Sequence, residues 1–207
     1  MVESRCGILC NQCEYLEQCG GCIKISKPFW GDSCPVKDCC EGRGHDHCGQ
    51  CSEFPCELLN KFAYDKEQGD DGKRIRTCRR WFAESFIQAV AKQNADALSE
   101  YFTPDAIICW HDSNEQFTVD EYIRANCEYP SKWNGEVMRV EKTEDGMVIV
   151  TKMFSDESTH LITAFVKLAK NKICRLDEYY SDYNDCEDIP DWRKEMKIGK
   201  PIGGEGK

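Results

Sequence analysis

Residues 135–181 read GEVMRVEKTEDGMVIVTKMFSDESTHLITAFVKLAKNKICRLDEYYS. Four runs rich in apolar and β-branched side chains, 135–142, 147–154, 159–168 and 172–181, are separated by Asp145-Gly146, by Ser155-Asp156-Glu157-Ser158 and by Lys170-Asn171. Connections this short join antiparallel neighbours, so the stretch predicts a four-stranded meander. On the two-residue alternation of a strand, His160, Ile162, Ala164 and Val166 share one face of the third run. Leu176, Glu178 and Tyr180 share one face of the fourth.

Upstream the period changes. Trp81, Phe82, Phe86, Ile87, Ala89 and Val90 recur at helical spacing and predict an amphipathic helix of about four turns. A short helix over 96–102 stops at Thr103-Pro104, and 106–111 reads as a strand with Ala106, Ile108 and Trp110 on one face and Ile107, Cys109 and His111 on the other. Thr118-Val119-Asp120-Glu121 is a capping box that opens a third helix through Cys127. Helices gathered first and strands last describe an α+β cone in which a curved antiparallel sheet wraps the long helix and encloses a pocket.

The first 56 residues obey a different rule, for they hold eleven of the sixteen cysteines. Six fall in C-x2-C pairs: Cys10/Cys13, Cys19/Cys22 and Cys48/Cys51. Two cysteines three apart direct both sulfurs to one ion, and two such pairs make one tetrahedral site. The start of the chain has no apolar h-region and no small-residue cleavage site, which points to a reducing cytoplasm and away from a disulfide framework. No apolar run reaches the roughly 20 residues that cross a bilayer. The simplest allocation is two zinc ions per chain, one on Cys10, Cys13, Cys19 and Cys22 and one on Cys34, Cys39, Cys48 and Cys51. Cys6, Cys40, Cys56, His45 and His47 are alternates, and interleaving of the two sets stays open. Cys6-x3-Cys10-x2-Cys13 matches the spacing of radical S-adenosylmethionine enzymes, but the large barrel such chemistry needs does not follow. The ferredoxin C-x2-C-x2-C-x3-C run is absent. Cys78, Cys109, Cys127, Cys174 and Cys186 are spaced for no metal cluster.

The change of regime divides the chain into a cysteine module at 1–65, a polar linker at 66–77, the cone at 78–195 and a flexible tail at 196–207. Net charge is −10, and only the junction Lys73-Arg74-Ile75-Arg76-Thr77-Cys78-Arg79-Arg80 is basic. An acidic surface repels a polyanion, so nucleic acid is not the expected partner.

Two resemblances follow from these residues. Cys6-Gly7-Ile8-Leu9-Cys10-Asn11-Gln12-Cys13, Cys19-Gly20-Gly21-Cys22, Cys34-Pro35-Val36-Lys37-Asp38-Cys39-Cys40 and Cys48-Gly49-Gln50-Cys51-Ser52-Glu53-Phe54-Pro55-Cys56-Glu57 resemble a family of bacterial and archaeal cysteine-rich domains of unknown function, presumed to bind zinc. Asp96-Ala97-Leu98, Phe102-Thr103-Pro104-Asp105-Ala106, Trp110-His111, Trp133-Asn134-Gly135-Glu136-Val137, the run Lys172 to Tyr180 and Asp191-Trp192-Arg193 resemble the SnoaL-like branch of the nuclear transport factor 2-like superfamily. That branch implies a pocket, in enzymes or in binding and dimerising modules, without choosing a reaction. The first helix lacks the tyrosine that steroid isomerases of the superfamily use as an oxyanion donor.

The pocket expected here is walled by Trp110, Tyr122 and Tyr180. A His–carboxylate pair drawn from His111, His160, Asp177 and Glu178 would supply a general base. Three functions follow: a zinc-stapled protein whose cone binds an apolar small molecule or dimerises through its sheet, a small-molecule isomerase, cyclase or hydrolase, and a thiol-based metal or redox sensor.

Overall fold

The computed structural model describes residues 3–28, 31–183 and 191–195. Cys186 and the 196–207 tail lie outside the described residues. The cysteine module is built from short pieces: a 3-10 turn at Cys10–Gln12, α1 (Leu16–Cys19), α2 (Pro35–Gly42), a second 3-10 turn at Cys48–Gln50, and α3 (Glu57–Ala63). Then come α4 (Lys73–Ala91), α5 (Ala95–Ser99), β1 (Phe102–Trp110), β2 (Glu115–Phe117), α6 (Val119–Glu128), β3 (Asn134–Lys142), β4 (Gly146–Phe154), β5 (Thr159–Ala169), β6 (Lys172–Asp182) and α7 (Asp191–Glu195).

The six strands form one sheet in the order β2-β1-β6-β5-β4-β3. The meander runs as its turns require, with β3, β4, β5 and β6 paired antiparallel. One element departs from the all-antiparallel expectation: β1 lies parallel to β6, with Cys109 opposite Asp177 and Trp110 opposite Glu178. Parallel neighbours need a long crossover, and α6 with β3–β5 supplies it. The Thr118 capping box forms as read, its hydroxyl accepting from the Glu121 N–H while the Glu121 carboxylate accepts from the Thr118 N–H at 2.8 Å.

Helix α4 belongs to two cores. Its later residues Phe82, Phe86 and Ile87 pack with Ile108, Ile149, Ala164 and Leu176 inside the cone. Its earlier residues Ile75, Cys78 and Trp81 pack with Val36, Cys40, Cys48, Leu59 and Ala63 of the module. The stretch read as a linker at 66–77 therefore enters a helix from Lys73 onward. The basic run disguised it, because Arg74 and Arg79 turn inward while Lys73, Arg76 and Arg80 stay exposed. Arg74 is 6 % exposed, its Nε 2.9 Å from the Asp70 carboxylate, which also accepts the Arg74 N–H at 3.1 Å. Arg80 bonds Glu84 at 2.7 Å and donates to the Val137 carbonyl at 2.9 Å. Arg79 lies over the Phe54 ring, 5.8 Å from its centroid.

The two parts touch directly. Gly7 has a φ of 92°, and a Cβ there would drive into the Arg74 carbonyl, so only glycine lets the first cysteine loop approach α4 this closely. Asn171, in the β5–β6 turn, donates to the Gly49 carbonyl at 2.7 Å.

Candidate functional site

The cone contains a cavity of about 560 Å³. Strand alternation decides what faces it. Trp110 and Tyr180 point inward from the paired β1 and β6, Met153 and Ile162 from β4 and β5, and Tyr129 and Trp133 close the side after α6. Asp112, Glu115 and Asp182 sit at its rim.

Behind this wall is Glu178, 3 % exposed. Its Oε2 accepts from Trp110 Nε1 at 2.7 Å and from the Tyr180 hydroxyl at 3.3 Å, so one carboxyl fixes two wall residues. Burial pushes Glu178 up to about 7, and the nearby Asp112 pushes the same way, against the bonds from Trp110 and Tyr180. Burial, with Glu178 beside them, raises Tyr122 and Tyr180 well above the ordinary phenol value. Tyr122, read from the sequence as part of the wall, lies one layer deeper. It is fully buried, packs its ring edge-on to Phe102 and Trp110, and leaves its hydroxyl without a hydrogen bond of ordinary geometry.

The histidines divide between the two faces of the sheet. His160 lines the cavity, with Nδ1 3.2 Å from Asp182 Oδ1 and Nε2 3.2 Å from Ser158 Oγ. Both ring nitrogens are thereby engaged within the chain. Its partner is neither Asp177 nor Glu178, because β5 and β6 set His160 opposite Asp182. Sequence reading missed Asp182, although the register of an antiparallel hairpin was the signal that locates it.

His111 does meet Asp177, Nε2 to Oδ1 at 2.9 Å, but away from the cavity. Asp177 follows the opposite alternation from Glu178, so the pair lies on the outer face, where His111 stacks on Tyr179 at 4.3 Å. Cys109 joins them, and the ligand atoms of Cys109, His111 and Asp177 lie within 4.8 Å of one another. Arg175 already fills the electrostatic role a metal would take there. It donates to both Asp177 oxygens, at 2.6 and 2.8 Å, and lies 3.8 Å from the Cys109 sulfur. Burial works to raise Asp177, but the bonds from Arg175 and His111 overcome it and hold the carboxyl below its usual range. Ile107, Phe165 and Tyr179 are exposed on this face.

In the module the C-x2-C pairs separate by burial. Cys10, Cys13, Cys19 and Cys22 are partly buried neighbours, with Cys22 also near Cys6. The second predicted set is split. Cys39 and Cys51 flank the Arg43 guanidinium at the surface, 3.7 Å from the Cys51 sulfur. Cys48 turns inward to Cys40, Cys6 and Cys78, with its thiol beside that of Cys40. Adjacent residues of α2 point about 100° apart, so Cys40 enters the core while Cys39 leaves it. Cys34 lies partly buried against the same core, near Cys6. Cys78, set aside from the sequence for its spacing, is brought in by α4. Among the described residues no three sulfurs of the module lie within 4.8 Å of one another, so these are assembled neighbours and not closed tetrads.

The donor chemistry suits a thiophilic ion, but His47 does not fit as a ligand. It is fully buried with its ring edge-on to Trp81, and burial pushes it down to about 4. Nδ1 accepts the Gly49 N–H at 3.1 Å, which places the proton of the neutral ring on Nε2, the nitrogen left without a partner. Around His45, the backbone carbonyl accepts from the Cys40 thiol at 3.4 Å. Cys56 is the residue before α3, and its carbonyl accepts from Asn60 Nδ2 at 3.0 Å.

A six-stranded sheet curved over a helix, with a cavity in its concave face, defines the class of cone-shaped α+β pocket domains. The chain belongs to the SnoaL-like domain family, whose model matches residues 80–184. Residues 15–61 match a second family, DUF3795, described as a protein of unknown function. Among solved structures, a provisionally assigned ketosteroid isomerase from Kribbella flavida is similar at 15% identity and TM-score 0.51, covering 60% of this chain and 90% of its own. An NTF-2-like protein of unknown function from Burkholderia xenovorans gives 18%, 0.49, 59% and 94% for the same measures. An NTF2-like protein of unknown function from Cytophaga hutchinsonii gives 14%, 0.43, 50% and 89%. No curated protein matches. No helix among the described residues is long and apolar enough to cross a membrane.

Proposed function

We propose that the cone is a small-molecule-binding domain and that the cysteine module is a zinc-stapled base holding the first turns of α4. The observation that carries the first part is the cavity. Its volume falls within the range of small-ligand pockets, and its lining combines aromatic and aliphatic side chains with polar ones. Supporting the second is the group Cys6, Cys40, Cys48 and Cys78, four thiols in one small core, with Cys10, Cys13, Cys19 and Cys22 as a second set. When bound, zinc would supply structural cross-links.

Filling the cavity tests the binding reading. An Ile162→Trp variant of the full chain is expected to keep its far-ultraviolet circular dichroism and to bind an apolar fluorescent probe at least about tenfold more weakly than the parent. Unchanged probe affinity in the folded variant would place binding elsewhere.

The outer sheet face supports self-association, since Phe165 and Tyr179 sit edge to face on it and both stay exposed in the single chain. Sedimentation velocity is expected to show a dimer that Phe165→Lys converts to monomer. A monomeric parent removes the reading.

A further inference from the structure

The charged side chains around the cavity have one sign. Among the described residues that line it, the carboxylates are Asp112, Glu115 and Asp182, and there is no lysine or arginine. His160 is the one basic group, and it is paired with Asp182 at 3.2 Å. An anionic ligand would find no counter-charge at these walls, and the chain as a whole carries −10.

The aromatic walls point the same way. Trp110 and Tyr180 meet at 5.9 Å with their planes 73° apart, on the β1–β6 side. Tyr129 and Trp133 meet at 6.0 Å and 62° on the side after α6. Rings set nearly at right angles present both faces and edges to the space between them, and aromatic faces attract a positive charge that has shed its water. The Trp110 and Trp133 indole N–H groups are already given to Glu178 and to the Pro130 carbonyl, at 2.7 and 2.9 Å. Neither is free to bind an acceptor on a ligand. Gln93 Nε2, Asn126 Nδ2 and the Ser181 hydroxyl on the same lining also donate to backbone carbonyls, so the walls offer mainly π faces, methyls and carboxylate oxygens.

We propose that the ligand class of this cavity is an organic cation, a substituted ammonium carrying an apolar body, with its charge held between the two aromatic pairs and the rim carboxylates. The proposal rests on the reading of the cavity as a binding site and adds the chemistry that selects what enters.

The probe is benzyltrimethylammonium, compared with its uncharged carbon isostere neopentylbenzene and with phenylacetate as an anion of similar size. Titrations of the full-length parent are followed by intrinsic tryptophan fluorescence and calorimetry. The expected result is that the cation binds at least tenfold more tightly than the isostere and that phenylacetate does not bind. In Asp112→Asn/Asp182→Asn, changed only at exposed rim positions, the preference for the cation over the isostere should fall at least threefold. Equal or tighter binding of the isostere or of phenylacetate overturns the cation proposal and leaves the cavity reading standing. Failure of all three probes, together with unchanged apolar-probe binding in Ile162→Trp, overturns both. The comparison of isosteres needs no variant, so a misfolded double mutant would not remove the test.

Discussion

Removing metal from the full chain with a strong chelator is expected to unfold the cysteine module and release α4 as far as Trp81. The module's buried core is small: Val36, Cys40, Cys48, Leu59 and Ala63 of its own, and Ile75, Cys78 and Trp81 lent by α4. Ordering the backbone costs about 1–2 kcal/mol per residue. So few apolar side chains offset little of that over some sixty residues, whereas structural zinc contributes on the order of 10 kcal/mol or more. Elemental analysis of the purified chain comes first, followed by hydrogen exchange before and after chelation. Amides of 73–81 should lose protection with the metal while those of β4 and β5 keep theirs. Single substitutions then separate the ligand sets. Cys40→Ser and Cys78→Ser should reproduce the effect of chelation, and Cys39→Ser should leave protection within experimental error. A chain that contains no zinc, or one whose exchange pattern ignores the chelator, would sink this account.

What the sequence disclosed, and what it hid, follows from the range of the interactions. Residues 135–181 announced their strands because alternation and short turns are local, and Thr118 with Glu121 announced a helix start for the same reason. The inward row Ala106, Ile108 and Trp110 was equally legible. Long-range choices were not. The parallel pairing of β1 with β6 depends on a crossover of more than fifty residues, and it decides that Glu178 stands behind Trp110 while Asp177 meets His111 outside. Alternation alone separates Asp177 from Glu178, but it cannot say which of the two faces is concave. The grouping of the later cysteines was hidden for the same reason. Spacing groups neighbours in the chain, whereas Cys6, Cys40, Cys48 and Cys78 are gathered by the packing of α2, the Cys48–Gln50 turn and α4. A basic run hid the start of α4 because Arg74 pairs with Asp70 and Arg79 lies over Phe54, contacts that composition does not show.

A Glu178→Gln variant is expected to be more stable than the parent above neutral pH and to differ little from it at pH 4. The buried carboxyl faces Tyr180 on its own strand, Tyr122 from α6, Asp112 beyond the end of β1, and the Trp110 N–H. No cation is among them, so the charged form is the one the site disfavours. Its value rises from the ordinary 4.5 to about 7. Below 4.5 folded and unfolded chains both hold the proton, and the neutral carboxyl's contribution to stability is fully present. Between 4.5 and about 7 the unfolded chain releases a proton that the folded chain keeps, and stability falls by about 1.4 kcal/mol per pH unit. Above that range the loss is complete, at about 3 kcal/mol. Glutamine keeps the shape, can still accept from Trp110, and has no proton to lose. Urea denaturation of parent and variant at pH 4, 5, 6, 7 and 8 gives the difference directly, because the two chains differ only at Glu178. The difference should grow with pH between 5 and 7 and level off by 8. A constant difference across that range would mean that Glu178 is ionised throughout, and the wall held by Trp110 and Tyr180 would then stand on a charge and not on a neutral carboxyl.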